Sequence, residues 1–278
     1  MHVAAIQMAS GPNVGANLSE AEKLIALAVD AGARLVVLPE NFALMAMSEK
    51  DRIAVAEQPG KGQIQDFLSR QASGRRIWIV GGTVPLVSNH PGRVRAACQV
   101  YNDRGDIVSR YDKIHLFDVD IEQTGENYNE SETTEPGDDI VVSKTPFGNL
   151  GLSVCYDLRF PELFRSLLDA GMQILVVPSA FTAITGSAHW DVLVRARAIE
   201  NQCYVIAAAQ GGYHINGRET YGHSMIVDPW GNILDELASG SGFVDADIDL
   251  GYVQRLRRSF PAVEHRRLSC RTDNQSAE

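Results

Sequence analysis

Cysteine is sparse in this chain, and the four present, Cys98, Cys155, Cys203 and Cys270, show no Cys-x-x-Cys spacing. That scatter excludes a disulfide framework and fits free thiols in a reducing cytoplasm, where one can serve catalysis. Long hydrophobic runs are missing too. The longest cover about five residues, such as 174–177 before Pro178, against the roughly 20 of a membrane helix, so no membrane partner is expected. The opening Met-His-Val-Ala-Ala-Ile-Gln-Met lacks a basic patch leading into an apolar stretch, so no secretory leader is expected. Basic residues are outnumbered, 25 Lys and Arg against 35 Asp and Glu, for a net charge of −10. Nucleic acid is thereby excluded as a partner, since phosphates demand a concentrated basic face. The one basic concentration, Arg255, Arg257, Arg258, Arg266, Arg267 and Arg271, is expected in a solvated or subunit-contacting helix and tail. His189, His214 and His223 have no metal-ligand spacing, so no metal site is expected.

There is also no linker, repeat or low-complexity stretch, so residues 1–268 are expected to form one domain followed by a tail at 269–278. Hydrophobic residues make up 45% of the 278 and charged residues 22%, enough for a full core. Residues 3–8 alternate as a strand would. Ala21, Leu24, Ile25 and Ala28 share one helical face, and Gly32 follows as a stop. Residues 35–38 are almost wholly apolar, as in a strand covered on both sides. A helix is expected over 64–72, a strand over 77–80, and a hairpin of 96–101 and 107–110 about the turn Asn102-Asp103-Arg104-Gly105. Strands and helices then alternate: 150–154, 161–170, 174–177, 188–202 and 204–208. A hairpin about Pro229-Trp230-Gly231 and a strand over 242–248 close the pattern. Alternating units with hairpins predict a mixed sheet with helices outside. The acidic stretch 122–139 is expected to be a long irregular loop.

Three of the predicted strands run into residues of complementary chemistry: Glu40 after 34–39, Lys113 after 107–112, and Cys155 after 150–154. Glu40 ends a run of apolar residues and proline and lies near Phe42, a poor setting for solvation that suits a general base. Lys113 precedes Ile114-His115-Leu116-Phe117, so its burial requires a partner such as Glu40 or Glu130. Cys155 stands at a strand-to-helix turn before Pro161, where a thiol is exposed at the sheet's rim near backbone N–H groups. A base, a cation and a thiol are what amide or nitrile hydrolysis through a thioester requires. Taken singly, each has a plainer reading: a core cysteine, a surface carboxylate, a solvated lysine. A Cys155–His115 pair is the weaker alternative, because His115 falls on the opposite side of a continuing strand from Lys113.

Leu38-Pro39-Glu40, the block at 111–116 around Lys113 and the block at 151–162 around Cys155 together resemble, in order, the three signatures of the nitrilase superfamily. The resemblance implies an α/β fold, an αββα sandwich of two mixed sheets with outer helices, paired into a homo-oligomer, dimer or larger. It implies Glu40 as base, Lys113 and the Tyr156 backbone N–H as stabilisers of the oxyanion, Cys155 as nucleophile and Glu130 beside the lysine. No cofactor is implied. Blocks at 178–181, 185–190, 195–200 and 222–231 are similar to an amidase branch of that family, implying a small linear amide with a 2-oxoglutaramate-like acyl part. Deaminated glutathione is expected ahead of free 2-oxoglutaramate, with other aliphatic amides and N-carbamoyl compounds as alternatives. Arg159 and Ser179 are the candidate substrate contacts. A catalytically dead interaction module is the remaining alternative, opposed by the intact Glu40, Lys113 and Cys155.

Overall fold

The strand His2–Gln7 feeds two cores with its alternate side chains, in the computed structural model, which describes residues 1–122 and 125–268. Val3 and Ala5 enter a cluster shared with a second sheet. Ala4 and Ile6 pack on the other side against Leu24 and Ile25 of helix α1 (Val14–Asp30). Successive strand side chains point to opposite faces, so an all-apolar strand must be covered twice.

The first sheet has seven strands, ordered Gly242–Asp247, His2–Gln7, Leu35–Val37, Trp78–Val80, Val94–Tyr101 and Val84–Val87, with Ile107–Asp112 also paired to Val94–Tyr101. The second has six: Ile233–Leu237, Ser224–Val227, Tyr204–Ala209, Ile174–Ser179, Gly148–Leu152 and Val142–Thr145. Both are mixed, with a parallel centre and antiparallel edges. Helix α2 (Glu49–Ala54) is short and carries Arg52, while α3 (Gln63–Arg75) joins α1 on the outer face of the first sheet. Helices α4 (Pro161–Asp169) and α5 (Ala183–Asn201) cover the second through Leu163, Phe164, Trp190 and Val194. The layers run α, β, β, α, the sandwich expected from the resemblance.

Some boundaries differ from expectation. Helix α5 begins at Ala183, not 188, because the Thr182 hydroxyl accepts the Thr185 N–H at 3.3 Å and caps it. Gly186 lies inside the helix, where a Cβ would come 2.3 Å from the Tyr221 side chain. The stretch 122–139 is not wholly irregular: Glu126–Asn129 pairs with Asp118–Ile121, and a 3₁₀ turn spans Glu130–Glu132. This ribbon is largely exposed and acidic, so no apolar face announces it. Short α2 carried no sequence signal either.

Helix α6 (Leu250–Ser259) is docked through Arg257, which donates to the carbonyls of Met172, Asn201 and Gln202. Arg255 pairs with Asp249 and Arg266 with Asp169, so part of the basic C-terminal cluster serves internal contacts. Cys270, Arg271 and the expected tail at 269–278 lie outside the described residues. Among the described residues no helix is long and apolar enough to cross a membrane.

Candidate active site

The backbone around each of the three strand-end residues is pinned by buried polar bonds. Glu40 follows Leu35–Val37 by three residues. Its carbonyl accepts Gln210 Nε2 at 3.0 Å, and the same nitrogen donates to Ser10 Oγ at 2.8 Å. Asn41 then turns left-handed, φ 58°, with its N–H on Thr83 Oγ1 at 2.8 Å. Lys113 follows Ile107–Asp112 directly, and its N–H donates to the Ala96 carbonyl. Cys155 opens the 3₁₀ turn Cys155–Arg159 at φ 49°. A non-glycine residue in that region is strained, and such strain recurs where a reactive side chain is presented.

These segments bring Glu40, Lys113, Glu130 and Cys155 together in one buried cluster. Lys113 Nζ donates to Glu40 Oε1 and Glu130 Oε2, both at 2.8 Å, and the lysine is only 2% exposed. Both carboxylates named beforehand as possible partners are therefore used at once. Glu130 Oε2 also accepts the Phe117 N–H at 2.8 Å, and Arg52 lies 3.8 Å from Oε1. Burial by itself would lower the lysine pKa, but Glu130 and Glu40 outweigh it and hold Lys113 above its ordinary value. Burial would raise Glu130, yet Lys113 and Arg52 outweigh it and hold the carboxyl below its ordinary range.

The thiol is pushed up, first by burial and then by the Glu40 carboxylate, against the opposing pull of Lys113 and of the Ala180 N–H, which donates to Sγ at 3.5 Å. Cys155 therefore rests as a thiol. Cys98 and Cys203 are buried as well, with Asp157 as the charged neighbour of Cys98 and Arg257, Glu200 and Arg165 those of Cys203; burial pushes the Cys203 thiol up to about 12.

Asp157 is the residue that sequence reasoning undervalued. Fully buried, it accepts the Tyr111 hydroxyl at 2.7 Å and the Val154 N–H at 2.8 Å on Oδ2, and the His115 N–H at 3.1 Å on Oδ1. The His115 ring Nδ1 also lies 2.7 Å from Oδ1, and the ring stacks on Phe160 with centroids 3.7 Å apart. Arg197 secures the same turn, donating twice to the Leu158 carbonyl at 3.1 and 2.8 Å. Gln210 and Ser10, which fix the Glu40 backbone, were likewise unseen. Their partners lie some 170 to 200 residues away, beyond the reach of any local pattern.

A cavity opens onto the cluster, walled by Phe117, Tyr128, Tyr156 and Phe181, with Arg52, Arg159 and Arg218 adding positive charge. Arg159 reaches it. Its guanidinium lies 5.1 Å from the Phe181 ring centroid and 5.8 Å from that of Tyr156, with His189 Nδ1 at 3.1 Å. Ser179 does not reach the cavity: it is fully buried in its strand, with its hydroxyl on the Val177 carbonyl, and Ala180 and Phe181 form the wall instead.

A sandwich of this topology with a buried Glu–Lys–Glu–Cys cluster beneath an open cavity matches a known class. The model of the carbon-nitrogen hydrolase family covers residues 2–258, and the chain belongs to that family. It is 44% identical over 266 residues to the deaminated glutathione amidase of Synechocystis sp., covering 95% of this chain and 97% of that protein. To the deaminated glutathione amidase of Yersinia enterocolitica it is 41% identical, across 96% of this chain and 93% of that one. Among solved structures it resembles Saccharomyces cerevisiae Nit3, a member of branch 10 of the nitrilase superfamily, with a TM-score of 0.86 at 31% identity, covering 96% and 97% of the two chains.

Proposed function

We propose that this carbon-nitrogen hydrolase cleaves a small linear amide through a thioester on Cys155, with deaminated glutathione as its substrate. The observation that carries the mechanism is Lys113 Nζ, 2.8 Å from both Glu40 and Glu130, in the cluster that also holds Cys155. Glu40 takes the thiol proton as Sγ attacks the amide carbonyl. The oxyanion that forms is stabilised by the Lys113 ammonium and by the Tyr156 backbone N–H, the next amide after the nucleophile. Glu40 then returns the proton to the leaving nitrogen as the C–N bond breaks, leaving an acyl-thioester. Cysteinylglycine departs from deaminated glutathione, ammonia from 2-oxoglutaramate. Water enters, gives its proton to Glu40 and adds to the thioester carbonyl. Collapse releases 2-oxoglutarate and restores the thiol. Glu130 keeps the lysine charged and aimed, and no step calls for a cofactor.

Three arginines in the wall of the cavity, in a chain of net charge −10, support an anionic substrate, and Arg159, on the turn that carries Cys155, suits the carboxylate of the acyl part. Exposed Val192 and Ile199 on α5, with Trp230 and Phe260 nearby in contact with each other, support pairing of two copies. Residues 1–268 as one catalytic domain, and a cytoplasmic setting with reduced thiols, complete the reading. The test is kcat/KM for deaminated glutathione against 2-oxoglutaramate, an N-carbamoyl compound and a nitrile. The account expects deaminated glutathione to lead. A clear preference for 2-oxoglutaramate would make the chain an omega-amidase.

A further inference from the structure

Arg218 is a cation in the wall of the cavity. It rises from the hairpin formed by Gly211–Tyr213 and Glu219–Tyr221, and its guanidinium lies 5.1 Å from the ring centroid of Tyr128 on the facing ribbon. Its Nη2 donates to the Ala180 carbonyl at 2.5 Å, and its Nε has no hydrogen-bond partner. Among the described residues it makes no ion pair, in contrast to Arg52, which faces Glu130. Arg159 makes none either, so two guanidinium groups line one cavity with no protein carboxylate assigned to them. Leaving a half-buried guanidinium without a counterion is costly unless a ligand supplies the anion.

The two arginines differ in attachment. Arg159 belongs to the turn that carries Cys155 and stands against Phe181 and Tyr156. Arg218 belongs to the hairpin and holds the carbonyl of the residue whose N–H donates to Cys155 Sγ. During thioester turnover the leaving group departs while the acyl part stays covalently bound, and water must then reach the thioester. The leaving group and the acyl part therefore need separate anchors. A two-residue leaving group extends about 7 Å from the scissile bond, a reach suited to a cation held on the carbonyl of the thiol's N–H donor.

We infer that Arg218 is a specificity residue that binds the terminal carboxylate of a dipeptide leaving group, giving the cavity two separate anion anchors. The inference rests on the thioester reading above and adds the residue that distinguishes a peptidyl amide from a primary one. Tyr128 supplies a flat face under the guanidinium and limits its swing, so the cation is ordered before substrate arrives.

The experiment compares three substrates that share the 2-oxoglutaryl group: the cysteinylglycine conjugate, the same conjugate with its glycine carboxylate amidated, and 2-oxoglutaramate. Wild-type enzyme should prefer the free acid over its amidated form, chiefly through KM. Arg218→Ala should cut kcat/KM for the free acid about tenfold to a hundredfold relative to its effect on 2-oxoglutaramate, the range for a charge-assisted hydrogen bond. Arg218→Lys should recover part of that loss. Equal losses on all three substrates would reduce Arg218 to a prop for the Ala180 carbonyl and overturn the inference. So would wild-type enzyme that treats the acid and the amidated conjugate alike, a result that needs no variant to fold. Inactivity of wild-type enzyme on every 2-oxoglutaryl amide would instead overturn the substrate reading and take the inference with it.

Discussion

Asp157 holds His115 twice, its Oδ1 accepting the backbone N–H at 3.1 Å and lying 2.7 Å from the ring Nδ1. Its other oxygen takes the Tyr111 hydroxyl and the Val154 N–H. Lys113 stands between Tyr111 and His115, and Val154 precedes Cys155, so one buried carboxylate sets the spacing between the ammonium and the thiol. His115 does not line the cavity onto which Cys155, Glu40 and Lys113 open.

Asp157→Asn should therefore lower kcat with little change in KM. A misplacement of about 1 Å at a reacting centre costs on the order of 10²-fold, and loss of an acceptor in a buried network costs about 1–3 kcal/mol of stability. Steady-state ammonia release from 2-oxoglutaramate and a thermal melt measure the two effects. A lower melting temperature with unchanged kcat would leave Asp157 as a structural tie only.

Glu40→Gln should block acylation and deacylation together, with a loss of about 10²–10⁴-fold, the range for a general base. Lys113→Met should cost about 2.7–4 kcal/mol in the barrier, the range for loss of an oxyanion donor. It also strands two buried carboxylates, so its melting temperature must be reported beside its rate. His115→Ala should be milder than either. A severe His115→Ala with a nearly silent Glu40→Gln would restore the Cys–His alternative.

Cys98→Ala and Cys203→Ala should keep turnover while lowering the melting temperature, because both side chains are fully buried. Single core truncations cost about 0.5–3 kcal/mol. Loss of activity in either, at a temperature where it stays folded, would show that the thiol chemistry is not confined to Cys155.

Glu130 contributes a pH dependence whose sign follows from its partners. Its carboxyl is held below its ordinary 4.5, so the stability it adds is present above that pH and is lost as pH falls through the lower folded value. Lys113, held above its ordinary 10.5, adds stability that is present below that pH and lost only at higher pH. Thermal melts from pH 4.5 downward should fall less steeply for Glu130→Gln than for wild type. Parallel slopes would mean that Glu130 is not the group titrating there.

Much of this was legible in the chain because the signals are local. Apolar runs such as 35–38 and 174–177 mark buried strands, and Glu40, Lys113 and Cys155 follow such runs closely enough to be picked out by chemistry. Gln210, Ser10 and Arg218 were not legible, since each acquires its role from a partner that only the fold brings near. Ser179 belongs to a block that resembles a substrate wall, but its hydroxyl donates to the Val177 carbonyl, and Ala180 and Phe181 line the cavity. The ribbon at 118–129 escaped notice because an exposed two-stranded element has no core to declare it.

The central claim is that the amide is cleaved through a covalent bond to Cys155, and acid-quenched mass spectrometry during turnover tests it most directly. With a slowly hydrolysed 2-oxoglutaryl amide, the account predicts an added 2-oxoglutaryl mass on the peptide containing Cys155, formed before steady state and absent in Cys155→Ala. Turnover with no adduct at any time, together with activity persisting in Cys155→Ala, would contradict it.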